Sequence, residues 1–513
     1  MTAPAALPAS IRRDETMAQE LQKSAAEPGV ATRDVDEFAT LLKQSFKPRN
    51  ERAATEVENA VATLVREALA DQSLVKSDVL ETIDEMIARL DEKLSAQMNE
   101  IIHAPEFQKL ESSWRGLNYL VFNSETDATL KIKFMNVGKT ELNNNLKSYP
   151  GARWDQSPLF KQVYEQEFGQ LGGEPFGAMV CDYEFSHEAQ DIQLLRGLTK
   201  IAASAHCPLF AAANPTLMGM DSWTQLSDPR DLSTIFETPD YAAWKSLRDS
   251  DDARYLGLCL PRVLARLPYG AKSDPIEEFG FEEETDGHNG SKYAWMSAAY
   301  AMGTNVNRAF KEWGWCTRIR GVESGGEVIN LPVHTFPTDE GGIDLKCPTE
   351  IAITDRREAE LAKSGLIPLI HRKNTDKAAF IGAQSVYRPK KRMTDEATAS
   401  DNLSSRLPYM FAVSRFAHYL KCMVRDKIGS TKEKSQLQRW LNDWIHLYVD
   451  GDPMNSSEET KARRPLAAAS VEIIENEENP GYYFAKFMLR PHYQLEGMDI
   501  GLSLVSRLPA KSG

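Results

Sequence analysis

The residues that could do chemistry are scattered along this chain rather than grouped. None of the nine histidines stands in a metal-binding pair, and the six cysteines, at 181, 207, 259, 316, 347 and 422, lack the spacing of a metal site. Ser186 and His187 are adjacent, which does not give the geometry of a nucleophile and its base. His418 lies in an apolar helical segment, as is typical of a hydrogen-bonded core histidine. We therefore predict no catalytic residue, no metal site and no cofactor.

Two charged clusters also deserve an interpretation. Glu282, Glu283, Glu284 and Asp286 offer oxygen ligands for a divalent cation, but they lack the alternation of a calcium loop, so a solvated acidic loop is favoured. The basic run RPKKR at 388–392 could grip phosphate. We favour the interpretation that it faces an acidic neighbour or solvent.

Composition excludes several classes of protein. A chain of 513 residues predicts two to four domains, and its 42% hydrophobic and 26% charged residues are typical of soluble proteins. The net charge of -14 argues against a nucleic-acid partner. Widely spaced cysteines, no apolar run of about 18 residues and no signal segment predict a cytoplasmic protein that does not insert into a membrane.

The element around which the chain is organised runs from Phe176 to Met220. An apolar run over 178–183, apolar residues at spacings of three and four from Leu194 to Ala205, and the run LFAAA predict strand, helix and strand. Ser186 is the expected helix cap. A crossover helix implies that the two strands are parallel. No glycine-rich phosphate loop follows either strand, so this unit is interpreted as structural.

The first part of the chain is predicted to make contacts with other chains. Residues 1–50 form a flexible arm, and its apolar island docks on another chain or, equally well, packs on its own domain. Residues 51–125 form amphipathic helices with a coiled-coil-like seam, which binds a partner helix or closes an intramolecular hairpin. The island residues are Phe38, Leu41 and Leu42; the seam residues are Val57, Val61, Leu64, Val79, Ile83, Ile87, Leu90 and Leu94.

Further predictions concern the remaining elements. Helix 106–122 should turn Phe107, Leu110, Trp114, Leu117 and Val121 towards the core, and the alternating run TLKIKFMNV at 129–137 should be a half-buried strand. An α/β core spans 126–387, and a C-terminal domain spans 388–513. Its strand-rich tail places Tyr483, Phe487 and Leu489 on one face of the run YYFAKFMLR.

Long stretches of the sequence resemble one family, the large subunit of the type VI secretion contractile sheath. The resemblance covers roughly residues 50–508 in order. The stretches that carry it include WRGLNYLV, CDYEFSH, AAANPTLMGM, YLGLCLPRVLARLPYG, GWCTRIRGVESGGEVINLPVHTF, LKCPTEIAITDRREAELAKSGLIPLIH, FIGAQSV, AVSRFAHYLK, RDKIG and ETKARRPL. The arm before residue 50 matches poorly.

The resemblance implies a fold, a role and a set of partners. The fold is mixed α/β (α+β): a phage-tail-sheath-like α/β core with outer helices and a strand-rich C-terminal tail. A small sheath subunit pairs with the chain in the bacterial cytoplasm, and the pairs polymerise with further copies into a helical tube around an inner tube protein. Contraction drives the inner tube and its effectors out of the cell. A baseplate and a recycling AAA+ ATPase are further partners, and neighbouring subunits share strands.

Two other hypotheses belong to different classes. The chain could be a cytosolic α/β enzyme whose site lacks a recognisable motif, or an adaptor that binds one partner helix without polymerising. Long hollow tubes on co-expression with the small partner would distinguish the sheath subunit from both.

Overall fold

The computed structural model describes residues 79–227, 232, 234–287, 289–338, 340–428, 433–475 and 483–494, with residues 55, 57, 59, 60 and 63 in isolation. Phe38, Leu41, Leu42, Val61 and Leu64 lie outside the described residues, as do the side chains of Val79, Ile83 and Tyr483. Their predicted roles stay predictions.

The described chain contains twelve α-helices and twelve strands. The helices are α1 Val79–Ile102, α2 Pro105–Phe122, α3 Lys139–Lys147, α4 Pro158–Phe160, α5 Ala189–Ser204, α6 Ala242–Arg248, α7 Ala298–Trp313, α8 Asp355–Lys363, α9 Asp395–Ser404, α10 Leu407–Asp426, α11 Lys434–His446 and α12 Glu458–Arg463. The strands are β1 Met179–Phe185, β2 Leu209–Ala213, β3 Leu256–Leu260, β4 Val263–Leu264, β5 Trp295–Met296, β6 Glu327–Val328, β7 Thr335–Pro337, β8 Ile343–Leu345, β9 Ile367–His371, β10 Ala378–Phe380, β11 Leu466–Glu475 and β12 Tyr483–Pro491.

The chain divides into two compact units. The first holds residues 1–100 and 269–283, and the second holds residues 101–268 and 284–513. In the first unit, the loop 269–283 lies against α1. The Gly280 N–H donates to the Asp91 carboxylate over 3.1 Å, and the Asn99 amide donates to the Glu282 carbonyl over 3.1 Å.

A six-stranded mixed sheet forms the core of the second unit, in the order β1-β2-β3-β9-β10-β6. Strands β1, β2, β3 and β9 are parallel, and β10 pairs antiparallel with β9 and β6. Strands β2 and β3 are buried along their whole length, as expected where both faces of a parallel sheet are covered. The mixed α/β fold class is confirmed.

The central strand–helix–strand prediction is confirmed as β1, α5 and β2. Leu194, Leu195 and Leu198 of α5 pack on one sheet face, where Leu209 and Ala211 also lie, whereas Phe210 points into the cluster beneath α7 on the other. The predicted cap is wrong by two residues, because Glu188 occupies the N-cap position of α5 and makes no side-chain capping bond. The Ser186 hydroxyl still accepts a backbone N–H, that of Glu188 at 3.2 Å, and it donates to Asp191 in the first turn.

Two of the sequence predictions for residues 106–137 are wrong. Helix α2 forms as expected, but it buries Gly116, Tyr119 and Leu120, whereas Leu110 and Trp114 are 56% and 59% exposed. The packing of α2 against α7 selects this face, since a Cβ at Gly116 would lie 2.3 Å from the Tyr300 ring. The run 129–137 forms no strand, because no strand of the described chain pairs with it.

The C-terminal part of the second unit has its own small core. Helices α10 and α11 pack with the antiparallel hairpin β11–β12 around a cluster that includes Trp315, Phe416, Leu441, Ile445 and Val471. The Trp315 and Phe416 rings stack at 4.3 Å between centroids. The predicted strand-rich tail is confirmed for β11 and β12, which form this hairpin.

Candidate interaction surfaces

The histidines considered as candidate catalytic residues make hydrogen bonds within the fold. His187 donates from Nδ1 to the Thr216 carbonyl at 2.8 Å and stacks on Tyr241, and so it is turned away from any role as a base for Ser186. His418 is buried and bonds the Ala205 carbonyl at 2.7 Å through Nε2. Burial lowers the pKa of His418 to about 4, so the ring is neutral at pH 7. The interpretation of His418 as a core histidine is confirmed.

The acidic residues of 282–286 serve local structure. Glu283 is buried and accepts the Tyr269 N–H at 2.8 Å, while Glu282 accepts the Ala271 N–H at 3.0 Å. In the second unit Glu284 pairs with Lys292, and Asp286 accepts the Gly290 N–H at 2.7 Å. Among the described residues, no group of three or more His, Cys, Asp or Glu side chains could hold a metal ion.

The basic run 388–392 faces acidic neighbours, as the sequence favoured. Arg388 donates hydrogen bonds to both oxygens of the Asp249 carboxylate, and Arg392 donates to Asp401 at 3.0 Å. Asp401 is 6% exposed and also accepts bonds from Arg254 at 2.8 Å, from the Tyr387 hydroxyl and from the Lys390 N–H. Burial raises the pKa of Asp401, but these bonds and the Arg254 charge outweigh it and hold the pKa at about 2.

Helix α1 carries an exposed apolar stripe in the first unit. Ile87 and Leu94 are each 46% exposed, and Met98 continues their line one turn later. Leu90 is half-buried, and Met86 is buried on another side of the helix. The spacing of seven residues between Ile87 and Leu94 is that of a helix–helix seam. The structure therefore leaves this part of the predicted seam open to solvent.

A second apolar surface lies on α2. Leu110 and Trp114 are exposed one turn apart, and the Trp114 ring lies 6.1 Å from that of Phe134, which is itself exposed in the extended run 129–137. Two lysines on that run are paired within the chain, Lys131 with Glu174 and Lys133 with Glu167. The apolar residues of α2 and of the run 129–137 were recognised in the sequence, but they were predicted to pack into the chain's own core.

The two edges of the C-terminal hairpin differ. At the β11 edge, the Asn442 amide accepts the Val471 N–H at 2.9 Å and donates to the Val471 carbonyl at 3.0 Å, and Gln438 accepts the Ile473 N–H at 3.2 Å. Side chains of α11 therefore occupy the positions of a neighbouring strand. The sequence analysis did not predict that Gln438 and Asn442 would bond the edge of β11, because no sequence motif indicates such contacts.

The β12 edge is open within the described part of the chain. Since Val471 and Ile473 turn their backbone groups away from β12, their partners Phe487 and Ala485 must turn theirs away from β11. The side chains of Phe487 and Leu489 are half-buried against the C-terminal core. The available feature is therefore the backbone edge of β12 rather than a free apolar face.

Comparison with known proteins identifies the family of the chain. Residues 84–387 match the family described as EvpB/VC_A0108, tail sheath N-terminal domain. Residues 396–508 match the EvpB/VC_A0108 tail sheath gpW/gp25-like domain. The chain belongs to the type VI secretion tail sheath family.

A curated member of this family is similar over nearly its whole length. The type VI secretion system sheath protein TssC1 of Pseudomonas aeruginosa is 60% identical over 494 residues, which are 96% of this chain and 99% of the relative. This chain is accordingly a sheath subunit, with a structural rather than an enzymatic role. No helix in the described ranges has the length and apolar character needed to cross a membrane.

Proposed function

We propose that this sheath protein pairs with a small sheath subunit, and that the pairs polymerise into a helical tube around an inner tube protein. Contraction of the tube propels effectors out of the cell from a baseplate, and an AAA+ ATPase recycles the contracted sheath. The energy of contraction is stored in the lattice, as two packings of the same subunits with different free energies. The family membership supports this role, and the exposed stripe of α1 is the observation that carries the pairing.

The α1 stripe is proposed as the small-subunit site. Completing the burial of Ile87, Leu94 and Met98, each a third to a half exposed, contributes about 1 kcal/mol per side chain. Ile83 and Leu90 extend the same site along α1, and Val57, Val61, Leu64 and Val79 extend it towards the N-terminus.

Co-purification tests the pairing. The double variant Ile87→Asp/Leu94→Asp places two charges on the stripe, and both positions are exposed, so the chain should fold but lose the small subunit. Ala96→Asp/Gln97→Asp adds the same charges at exposed positions outside the stripe and serves as the control. One-to-one co-purification of the folded stripe variant would refute the assignment.

The β12 edge is proposed as the place where neighbouring subunits share a strand. Ordering about six residues of the arm costs on the order of 6–12 kcal/mol, and six backbone bonds contribute roughly 3–9 kcal/mol. The ladder alone is therefore insufficient. Burying Phe38, Leu41 and Leu42 adds about 1.5–3 kcal/mol each, so the apolar island makes docking favourable. Tyr483, Phe487 and Leu489 supply the receiving strand.

Two perturbations test the shared strand. Deleting residues 30–47 should leave a heterodimer that builds no contractile tubes. Ala485→Pro should do the same, because it removes an N–H from the outer edge of β12 without breaking a bond to β11. Ala485→Thr keeps that N–H and should assemble normally. If electron microscopy shows that the truncated chain still forms contractile tubes, the link between neighbouring subunits does not depend on the arm.

A further inference from the structure

The run from Lys131 to Asn136 is a backbone segment that the assembly contacts proposed above do not use. It continues without a turn or bend up to helix α3. Within the described part of the chain, none of its backbone N–H or C=O groups makes a hydrogen bond. Backbone groups are strong donors and acceptors, which in folded proteins pair with other protein groups or with water. The whole run is therefore available to pair with a strand.

Both ends of this segment are anchored to the fold. Before it, the Asp127 carboxylate accepts the Thr129 N–H at 2.7 Å and the Leu130 N–H at 3.0 Å. After it, the Val137 carbonyl accepts the Tyr183 hydroxyl of β1 at 2.5 Å. These bonds hold the segment in place, while its backbone stays unpaired between them.

Side chains also hold the segment, and they alternate as in a strand. Lys131 and Lys133 pair with glutamates of the stretch 167–174. Phe134, at a position of the opposite parity, places its ring 6.1 Å from that of Trp114 on α2. Successive side chains of a strand point to opposite faces in the same way. A segment that is already held in place loses little further conformational entropy when a strand pairs with it.

An exposed apolar surface lies beside this backbone. Leu110, Trp114 and Phe134 are 56%, 59% and 62% exposed, and together they present roughly 350 Å² to solvent. A patch of this size is within the range of the largest patches on monomeric proteins, about 300–600 Å², which are often functional. It would supply nearly half of the about 800 Å² that each partner buries in a stable interface. A strand paired with the segment would cover this patch.

The two lysines argue against a second copy of the same segment as the occupant. In a parallel pair in register, Lys131 and Lys133 would each face the same lysine of the other copy. In an antiparallel pair centred on Ile132 or on Lys133, a lysine would again face a lysine. Like charges directly opposite each other destabilise a strand pair. A strand of different sequence avoids this if it is apolar towards Trp114 and uncharged or acidic opposite the lysines.

We propose that residues 131–136 accept a strand from a different polypeptide of the assembled sheath, whose apolar side chains cover Leu110, Trp114 and Phe134. Main-chain hydrogen bonds supply the affinity, as in other cases of strand addition, and the apolar contact beside α2 fixes the register. The pairing depends on the assembly proposed above. Within that assembly, the run 129–137 forms the strand that its alternation predicts.

Hydrogen exchange of the full-length chain, alone and in sheaths purified after co-expression with the small sheath subunit, tests the pairing. In the isolated chain, all amides of 131–136 should exchange as unpaired backbone does. In sheaths, alternate amides should exchange at least about a hundredfold more slowly, since only every second N–H of a strand faces a given neighbour. Fast exchange of the whole run in intact sheaths would overturn the proposal, as would slow exchange already in the isolated chain. If no sheath forms, the proposed assembly fails and the pairing fails with it.

A pair of variants at Phe134 tests the apolar contact. Phe134→Asp places a charge at an exposed position, so the chain should fold but lose the protection of 131–136 or build no sheath. Phe134→Leu keeps an apolar side chain and should retain both. Unchanged protection in sheaths of Phe134→Asp would contradict the proposal.

Photo-cross-linking identifies the occupant. A benzoylphenylalanine placed at position 134 should form a covalent bond with a polypeptide of different sequence in purified sheaths, which peptide mass spectrometry then identifies. A cross-link to a second copy of this chain, or to residues of the same chain, would overturn the assignment.

Discussion

Asp401 is the buried carboxylate that links the two family-matched segments of the second unit. It lies in the C-terminal match, whereas Arg254 and Tyr387 lie in the N-terminal match, and Arg392 stands between them. Replacing Asp401 by Asn keeps the shape of the side chain but removes its charge. The new amide N–H₂ also faces groups that donate hydrogen bonds, so it finds no acceptor among them. We expect the substitution to loosen this joint.

The size of the effect follows from the pKa. A shift from 3.8 to about 2 corresponds to about 2–3 kcal/mol of native-state stabilisation by the charged form. Because the partly buried Arg254 then also loses an acceptor, Asp401→Asn should lower the free energy of unfolding by about 2–4 kcal/mol. The pKa is depressed in the folded state, so the stabilisation is complete above about pH 4 and is lost as the pH falls towards 2.

Urea unfolding followed by tryptophan fluorescence measures this difference. Asp251 provides a matched control, because it bonds the same Arg254 at 2.8 Å but is 70% exposed, and Asp251→Asn should cost less than about 1 kcal/mol. The gap between the wild-type chain and Asp401→Asn should narrow below pH 4. Equal losses for the two variants, or a gap that does not depend on pH, would refute the reasoning.

Two further predictions concern the core. A Cβ on Gly257 would lie 2.8–3.0 Å from side-chain atoms of Ile367, Leu407 and Phe210, so Gly257→Ala should cost about 1–3 kcal/mol in thermal unfolding, whereas Gly177→Ala, with open space around it, should be neutral. Burial depresses the pKa of His418 from 6.5 to about 4, so stability should be lost as the pH falls from about 6.5 towards 4. His418→Gln should flatten this dependence in urea unfolding at pH 7 and 5, although neighbouring His206 retains a smaller share; an unchanged slope would contradict the assignment.

Several features were determined by the sequence alone. The periodicity of residues 178–213 was sufficient for β1, α5 and β2, because apolar spacing reports directly which residues must be buried. The long family-like stretches were sufficient for the sheath role. The sequence favoured acidic neighbours for the basic run RPKKR, because a basic run beside a folded core tends to pair with carboxylates. It could not identify Asp401 as the carboxylate that pairs with Arg392.

Other features were decided only by the tertiary structure. Helix α2 has apolar residues on more than one side, and periodicity cannot tell which side meets the chain's own core; the close approach of Tyr300 to Gly116 makes that choice. The run 129–137 has the alternation of a strand, but a strand exists only where another supplies hydrogen bonds. The open β12 edge likewise depends on tertiary contacts, because Gln438 and Asn442 of α11 cover the β11 edge and leave only the β12 edge available.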